Sequence, residues 1–161
     1  VEGSRSSSGA LAVALTSRIL SFKPKGFGNI LRLTIQSRNE LIERMSKIKN
    51  IRILPTHDLN ILAFVIAKRF EKTSKVSRKT RTIFHTLSPQ NRNAPYFLTK
   101  TRLDRERYAF LFNDFTETWN AKVDSDLEVL RLCAMNPFLI SKEPKINYLD
   151  RFVETLKRLS E

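Results

Sequence analysis

Residues 126–137 read Asp-Leu-Glu-Val-Leu-Arg-Leu-Cys-Ala-Met-Asn-Pro, and no other stretch constrains the fold as tightly. Leu127, Val129, Leu130, Leu132, Cys133, Ala134 and Met135 form an almost continuous apolar run, which reads as a buried strand closed by Asn136-Pro137. Strands of this kind are covered on both faces, so the arginine inside the run, Arg131, is expected to need an anionic partner. A guanidinium held in a rigid strand is also a natural grip for a carboxylate or phosphate.

The rest of the chain arranges itself around that strand. A polar Ser- and Gly-rich segment at 2–9 leads into a helix-prone stretch at 10–15, whose free amides the serines can cap. Lys-Pro-Lys-Gly-Phe-Gly at 23–28 reads as a loop. From Phe27, apolar residues recur at three- and four-residue spacing through Ile48, predicting a long amphipathic helix ending near 49–50. A short strand is predicted at 51–54 and a longer one at 60–67, where Ile61, Phe64, Val65 and Ile66 supply β-branched and aromatic content. Residues 68–77 read as charged loop, 78–87 as a short helix and 96–103 as another strand. Residues 111–123, with Phe112, Phe115 and Trp119, carry no clear period. Ile146, Leu149, Phe152, Val153, Leu156 and Leu159 form the apolar stripe of a closing helix. Two helices followed by strand-strand-helix-strand-strand-helix predict an α+β fold: a small, antiparallel-rich sheet with helices on one face, preceded by a linking helix.

Composition narrows what such a domain can do. The chain has 161 residues, 41% of them hydrophobic and 9% aromatic, enough for one sizeable core. Its longest apolar runs fall far short of the ~20 residues a membrane helix needs, and its start has no basic segment before an apolar core. A single cysteine, Cys133, excludes an internal disulfide and suits a reducing cytoplasm. The first residue is Val, and only four glycines are present; both features lead us to expect a piece of a longer protein rather than a complete enzyme with Gly-rich loops. The formal net charge is +13, and residues 68–107 hold twelve basic side chains against three acidic ones, a net +9. Such a surface attracts nucleic acid, anionic lipid or acidic partners. Its plain reading is a solvated helix face, and nucleic acid is disfavoured because no aromatic residues interleave the charges in an RNA-binding pattern.

Motifs for self-contained chemistry are missing. His57 and His85 are far apart in sequence, and no Cys-x-x-Cys or His-x-x-x-His pair accompanies them. There is no phosphate-binding Gly-x-x-x-x-Gly-Lys loop and no dinucleotide fingerprint. Cys133, inside an apolar run, reads as a small packed hydrophobe rather than a nucleophile.

Four segments nevertheless resemble, in order, the C-terminal part of the group II pyridoxal-phosphate-dependent amino-acid decarboxylases, the family of the glutamate, aromatic-amino-acid and tyrosine enzymes. Glu-Gly-Ser-Arg-Ser-Ser-Ser-Gly-Ala-Leu-Ala at 2–12 resembles the family's Gly-Ser/Thr-Arg-x-Gly-Ala segment. Lys25-Gly26-Phe27-Gly28 is similar to its Glu-Gly-Tyr turn before a long helix. Residues 58–64, Asp-Leu-Asn-Ile-Leu-Ala-Phe, resemble its Leu-Asn-Ile-Val strand, and 130–137, Leu-Arg-Leu-Cys-Ala-Met-Asn-Pro, its Leu/Phe-Arg-hydrophobic strand with a following Asn-Pro.

The resemblance implies a connecting segment and helix at 1–25 and the small domain of a fold-type I enzyme at 26–161. It implies a homodimer, an amino-acid substrate and pyridoxal 5'-phosphate as cofactor, in a cytoplasmic enzyme. Ser4 matches the small hydroxyl residue that reaches the cofactor phosphate of the neighbouring subunit, and a helix cap is its equally weighted plain role. Arg131 matches the arginine that binds the substrate α-carboxylate. The family's Schiff-base lysine follows a histidine upstream of the Gly-Ser-Arg segment; this chain contains no His-Lys dipeptide, so no catalytic residue is expected within it. Other fold-type I enzymes, an aminotransferase or an aldehyde-lyase, and a basic anion-binding module are the alternatives. Ser6-Ser7-Ser8 and the strongly basic stretch at 68–107 depart from the family's pattern and leave the substrate open.

Overall fold

Five helices and a four-stranded antiparallel sheet make up the described part of the chain, residues 8–55, 59–88, 90–94, 96–140 and 147–161 of a computed structural model. The elements run α1 (Ser8–Ile19), α2 (Phe27–Ser46), β1 (Ile51–Ile53), β2 (Ile61–Ile66), α3 (Thr73–Thr86), β3 (Thr99–Leu103), α4 (Ala109–Glu117), β4 (Leu127–Cys133) and α5 (Tyr148–Ser160). Strand order is β1-β2-β4-β3, so the apolar strand β4 is central, and β1 and β3 are the edges. Ser4, His57 and Asp58 lie outside the described residues.

Strand alternation sorts the sheet into two faces. Leu62, Phe64 and Ile66 of β2 and Leu130 of β4 point one way, into a core with Leu41 and Met45 of α2, Ile83 of α3 and Leu149, Phe152 and Leu156 of α5. Val65 of β2, Leu127 and Val129 of β4 and Leu103 of β3 point the other way and pack with Phe112 and Phe115 of α4 and with Trp119. Three helices therefore share one face, as the sequence predicts, and the short α4 covers part of the face expected to be bare. Residues 111–123 carry no clear period because the helix is only nine residues long, and its aromatic side chains fill one end of the sheet rather than a full stripe.

The helix ends have physical causes. Asn147 caps α5 by accepting the Asp150 amide at 3.1 Å, and Lys157 and Arg158 occupy its negative last turn. Gly26 allows the turn into α2: the Phe27 amide donates to Ser21 O at 2.8 Å, and a Cβ at position 26 would collide with that carbonyl. α3 begins at Thr73, five residues before the predicted start. Lys72 at its N-cap supplies no side-chain acceptor, and Asp124, far along the chain, does so instead. The Ser74 amide and Oγ donate to its carboxylate at 2.9 and 2.7 Å, and Thr73 Oγ1 donates at 3.0 Å.

α1 stands apart, with none of its residues buried and Leu11, Val13, Leu15 and Ile19 exposed. No helix among the described residues is long and apolar enough to cross a membrane.

Candidate functional site

Arg131 lies on β4 directly across from Ala63 of β2 and Thr99 of β3. The expectation of a buried guanidinium paired with an anion needs correcting. Leu127, Val129 and Leu130 are buried, whereas Arg131 and Cys133 are exposed, because the cover from α4 stops at Val129. The same uncovered end leaves Ile61, opposite Cys133, partly open.

Arg131 is nevertheless held. Its Nε donates to Thr99 Oγ1 at 3.1 Å, and Thr99 Oγ1 donates in turn to the Arg131 carbonyl at the same distance. This reciprocal pair fixes the inner edge of the guanidinium against the sheet. No ion pair of Arg131 occurs among the described residues, so its terminal nitrogens present an open fork. Ala63, Thr99 and Thr101 lie on the same face and are small, so the fork stands over a low shelf. The chemistry available there is bidentate binding of a planar carboxylate or a phosphate.

The shelf is not a closed pocket. A hollow of about 340 Å³ opens beside Tyr96, Leu132, Leu139 and Tyr148, but Leu132 points to the opposite face from Arg131, and Arg131 does not line it. An exposed arginine in water holds a lone carboxylate by no more than ~1 kcal/mol. A substrate site built on Arg131 therefore requires a second surface to exclude water.

The remaining candidates are placed as follows. Ser4 and His57 lie outside the described residues. His85, on α3, is exposed and packs edge-on to Phe84, with ring centroids 5.8 Å apart. Cys133 is a free, exposed thiol at the end of β4, not the packed hydrophobe predicted for it. Among the described residues, no group of three His, Cys, Asp or Glu side chains is placed to hold a metal ion.

Composition alone does not reveal how the basic stretch is organised. Glu71, only 5% exposed at its side chain, accepts from Lys79 Nζ at 2.7 Å and from the Lys68 amide at 2.9 Å, with Lys75 Nζ 3.4 Å away. Burial raises its pKa, but these hydrogen bonds and the Lys79 charge outweigh burial and hold it below its ordinary value. Glu128 behaves alike: burial raises it, and hydrogen bonds from Lys100 and Arg81 bring it below its ordinary value. Arg102 pairs with Asp126, and its hydrogen bond is the main cause of that carboxyl's lowered pKa. These contacts link α3, β3 and β4 through charged side chains that belong to none of the resemblance's motifs. Neither a protein-family model nor a curated protein matches the chain.

Proposed function

We infer that this chain is the small C-terminal domain of a pyridoxal-phosphate-dependent L-amino-acid decarboxylase, in which Arg131 binds the substrate α-carboxylate. The observation that carries the reading is the open guanidinium fork of Arg131, braced by Thr99 on the uncovered end of a central strand. Beyond its contact with Thr99 it has no acidic partner among the described residues, and so exposed an arginine grips a carboxylate firmly only when another surface closes over it. In this reading that surface is the large domain of the same protein and its dimer partner. The small residues around the fork, Ala63, Thr99 and Thr101, leave room for that approach.

The fit to the cofactor is partial. The described residues offer a carboxylate fork, while Ser4, the phosphate contact implied by the resemblance, lies outside them. Pyridoxal phosphate, when bound, supplies the electron sink for loss of CO2. What this chain contributes is orientation: two parallel hydrogen bonds from Arg131 fix the plane of the carboxylate, and the Thr99 contact prevents the guanidinium from turning away. An unpaired exposed thiol at Cys133 fits a reducing cytoplasm.

The test is the full-length protein that carries this domain. Purified, it is expected to show the visible absorbance of bound pyridoxal phosphate, to be dimeric, and to release CO2 and an amine from an L-amino acid. A purified protein that binds no pyridoxal phosphate sinks the proposal, and a keto acid or aldehyde product transfers it to another reaction of the same cofactor.

A further inference from the structure

We propose that the edge strand β3 and the cleft between it and α3 bind an acidic segment of another protein in extended conformation, by adding it as a fifth strand to the sheet. This does not rest on the reading of Arg131, which points to the other face.

The hydrogen-bond phase of the sheet decides what β3 offers. The Leu54 amide donates to Ala63 O, and the Ala134 amide donates to Asn60 O, both at 2.8 Å. Odd-numbered residues of β2 therefore bond towards β1 and even-numbered ones towards β4. Carried across the registers Phe64↔Leu130 and Thr101↔Val129, this alternation turns Thr99, Thr101 and Leu103 inward to β4. Lys100 and Arg102 direct their amides and carbonyls outward, and no described residue pairs with them there.

The side chains along that edge set the partner's chemistry. Lys100 and Arg102 lie on the α3 side of the sheet, where Arg78 and Arg81 descend from the helix. Arg78, Arg81 and Arg102, with Ser74 and Ser77, line a cleft of about 300 Å³, and Lys100 lies beside it on the same face of the sheet. Glu128 and Asp126 at its floor already engage Arg81, Lys100 and Arg102, and Arg78 has no acidic partner among the described residues. A strand laid along β3 places alternate side chains against this row. Carboxylates there meet a set of cations, Arg78, Arg81, Lys100 and Arg102, that outnumbers the two acids Asp126 and Glu128. Pairing with a second copy of β3 would set Lys100 against Arg102, two like charges, which disfavours self-association. Nucleic acid suits the cleft less well. No aromatic side chain lines it for base stacking, and a nucleic-acid strand cannot pair with the outward amides and carbonyls of β3 as a peptide strand does.

The experiment is fluorescence anisotropy on the full-length protein, with three labelled probes of equal length. These are a peptide alternating Glu and Thr, the same peptide N-methylated at every amide so that neither edge can pair, and single-stranded oligothymidylate. The plain peptide is expected to bind saturably and about tenfold more tightly than either of the others, since only it offers both strand pairing and carboxylates. Arg78→Glu, at an exposed position without an acidic partner, is expected to weaken the plain peptide about tenfold while the far-ultraviolet spectrum stays unchanged. Equal binding of the N-methylated peptide overturns the proposal, because charge alone then suffices. So does binding of oligothymidylate as tight as that of the peptide, or an Arg78→Glu protein that binds the peptide unchanged.

Discussion

Glu71 ties several segments together, and the sequence disguises it as one acid in a basic loop. Its carboxylate gathers Lys79, Lys75 and the Lys68 amide, and its carbonyl accepts from Trp119 Nε1 at 3.4 Å and from the Lys122 amide at 3.3 Å. Glu71→Gln keeps the shape and removes the charge, so it should lower unfolding free energy by about 1–2 kcal/mol, read as a lower urea midpoint with unchanged slope. Its neighbour Phe70 stands at φ 61° with an exposed ring, under the Arg69 guanidinium. A bulky residue there is strained, and Phe70→Gly should stabilise by about 1 kcal/mol and raise Tm by about 2–4 °C in a scanning experiment. Nothing in a single sequence marks a phenylalanine for left-handed backbone. Arg131 was legible as the odd residue in its strand. Its exposure was not, since an apolar run does not say where the covering helix stops.

Elements were read well where one apolar period runs their length. The stripe of α5 and the β-branched content of β2 hold in the structure because each buries a face defined by its own sequence. α3 shows the opposite case. Its start was hidden because its capping acceptor is Asp124, roughly fifty residues downstream and not at the local N-cap position. Asp124→Ala should therefore lower the urea midpoint, and Asp124→Asn, which keeps one acceptor oxygen, should recover part of the loss. The nine-residue α4 was illegible for a related reason: Phe112 and Phe115 are committed to the sheet by position, not by periodicity. Phe112→Ala, at a fully buried site, should cost about 3–5 kcal/mol, measured by chemical denaturation.

At the scale of the molecule, the net charge of +13 coexists with a folded domain because many cations are tied to a few acids. Glu71, Asp124, Asp126 and Glu128 all titrate below their ordinary values of 4.5 for Glu and 3.8 for Asp. The unfolded chain thus binds protons first, and the stability these pairs contribute is present above the ordinary values and lost as pH falls through the lowered ones. Unfolding midpoints should stay level from neutrality to about pH 5 and fall steadily below it. A midpoint that rises on acidification would show that repulsion among the acids, not pairing, governs them.

The α+β class and the strand at 127–133 could be read from apolar patterning, whereas its central place in the sheet could not; the functional assignment rests on a resemblance and on one exposed arginine. The direct test is steady-state kinetics and visible absorbance of the full-length protein with Arg131→Ala. The account predicts a KM for the amino acid raised about 10–100-fold, with the absorbance of bound pyridoxal phosphate retained. An unchanged KM would contradict it.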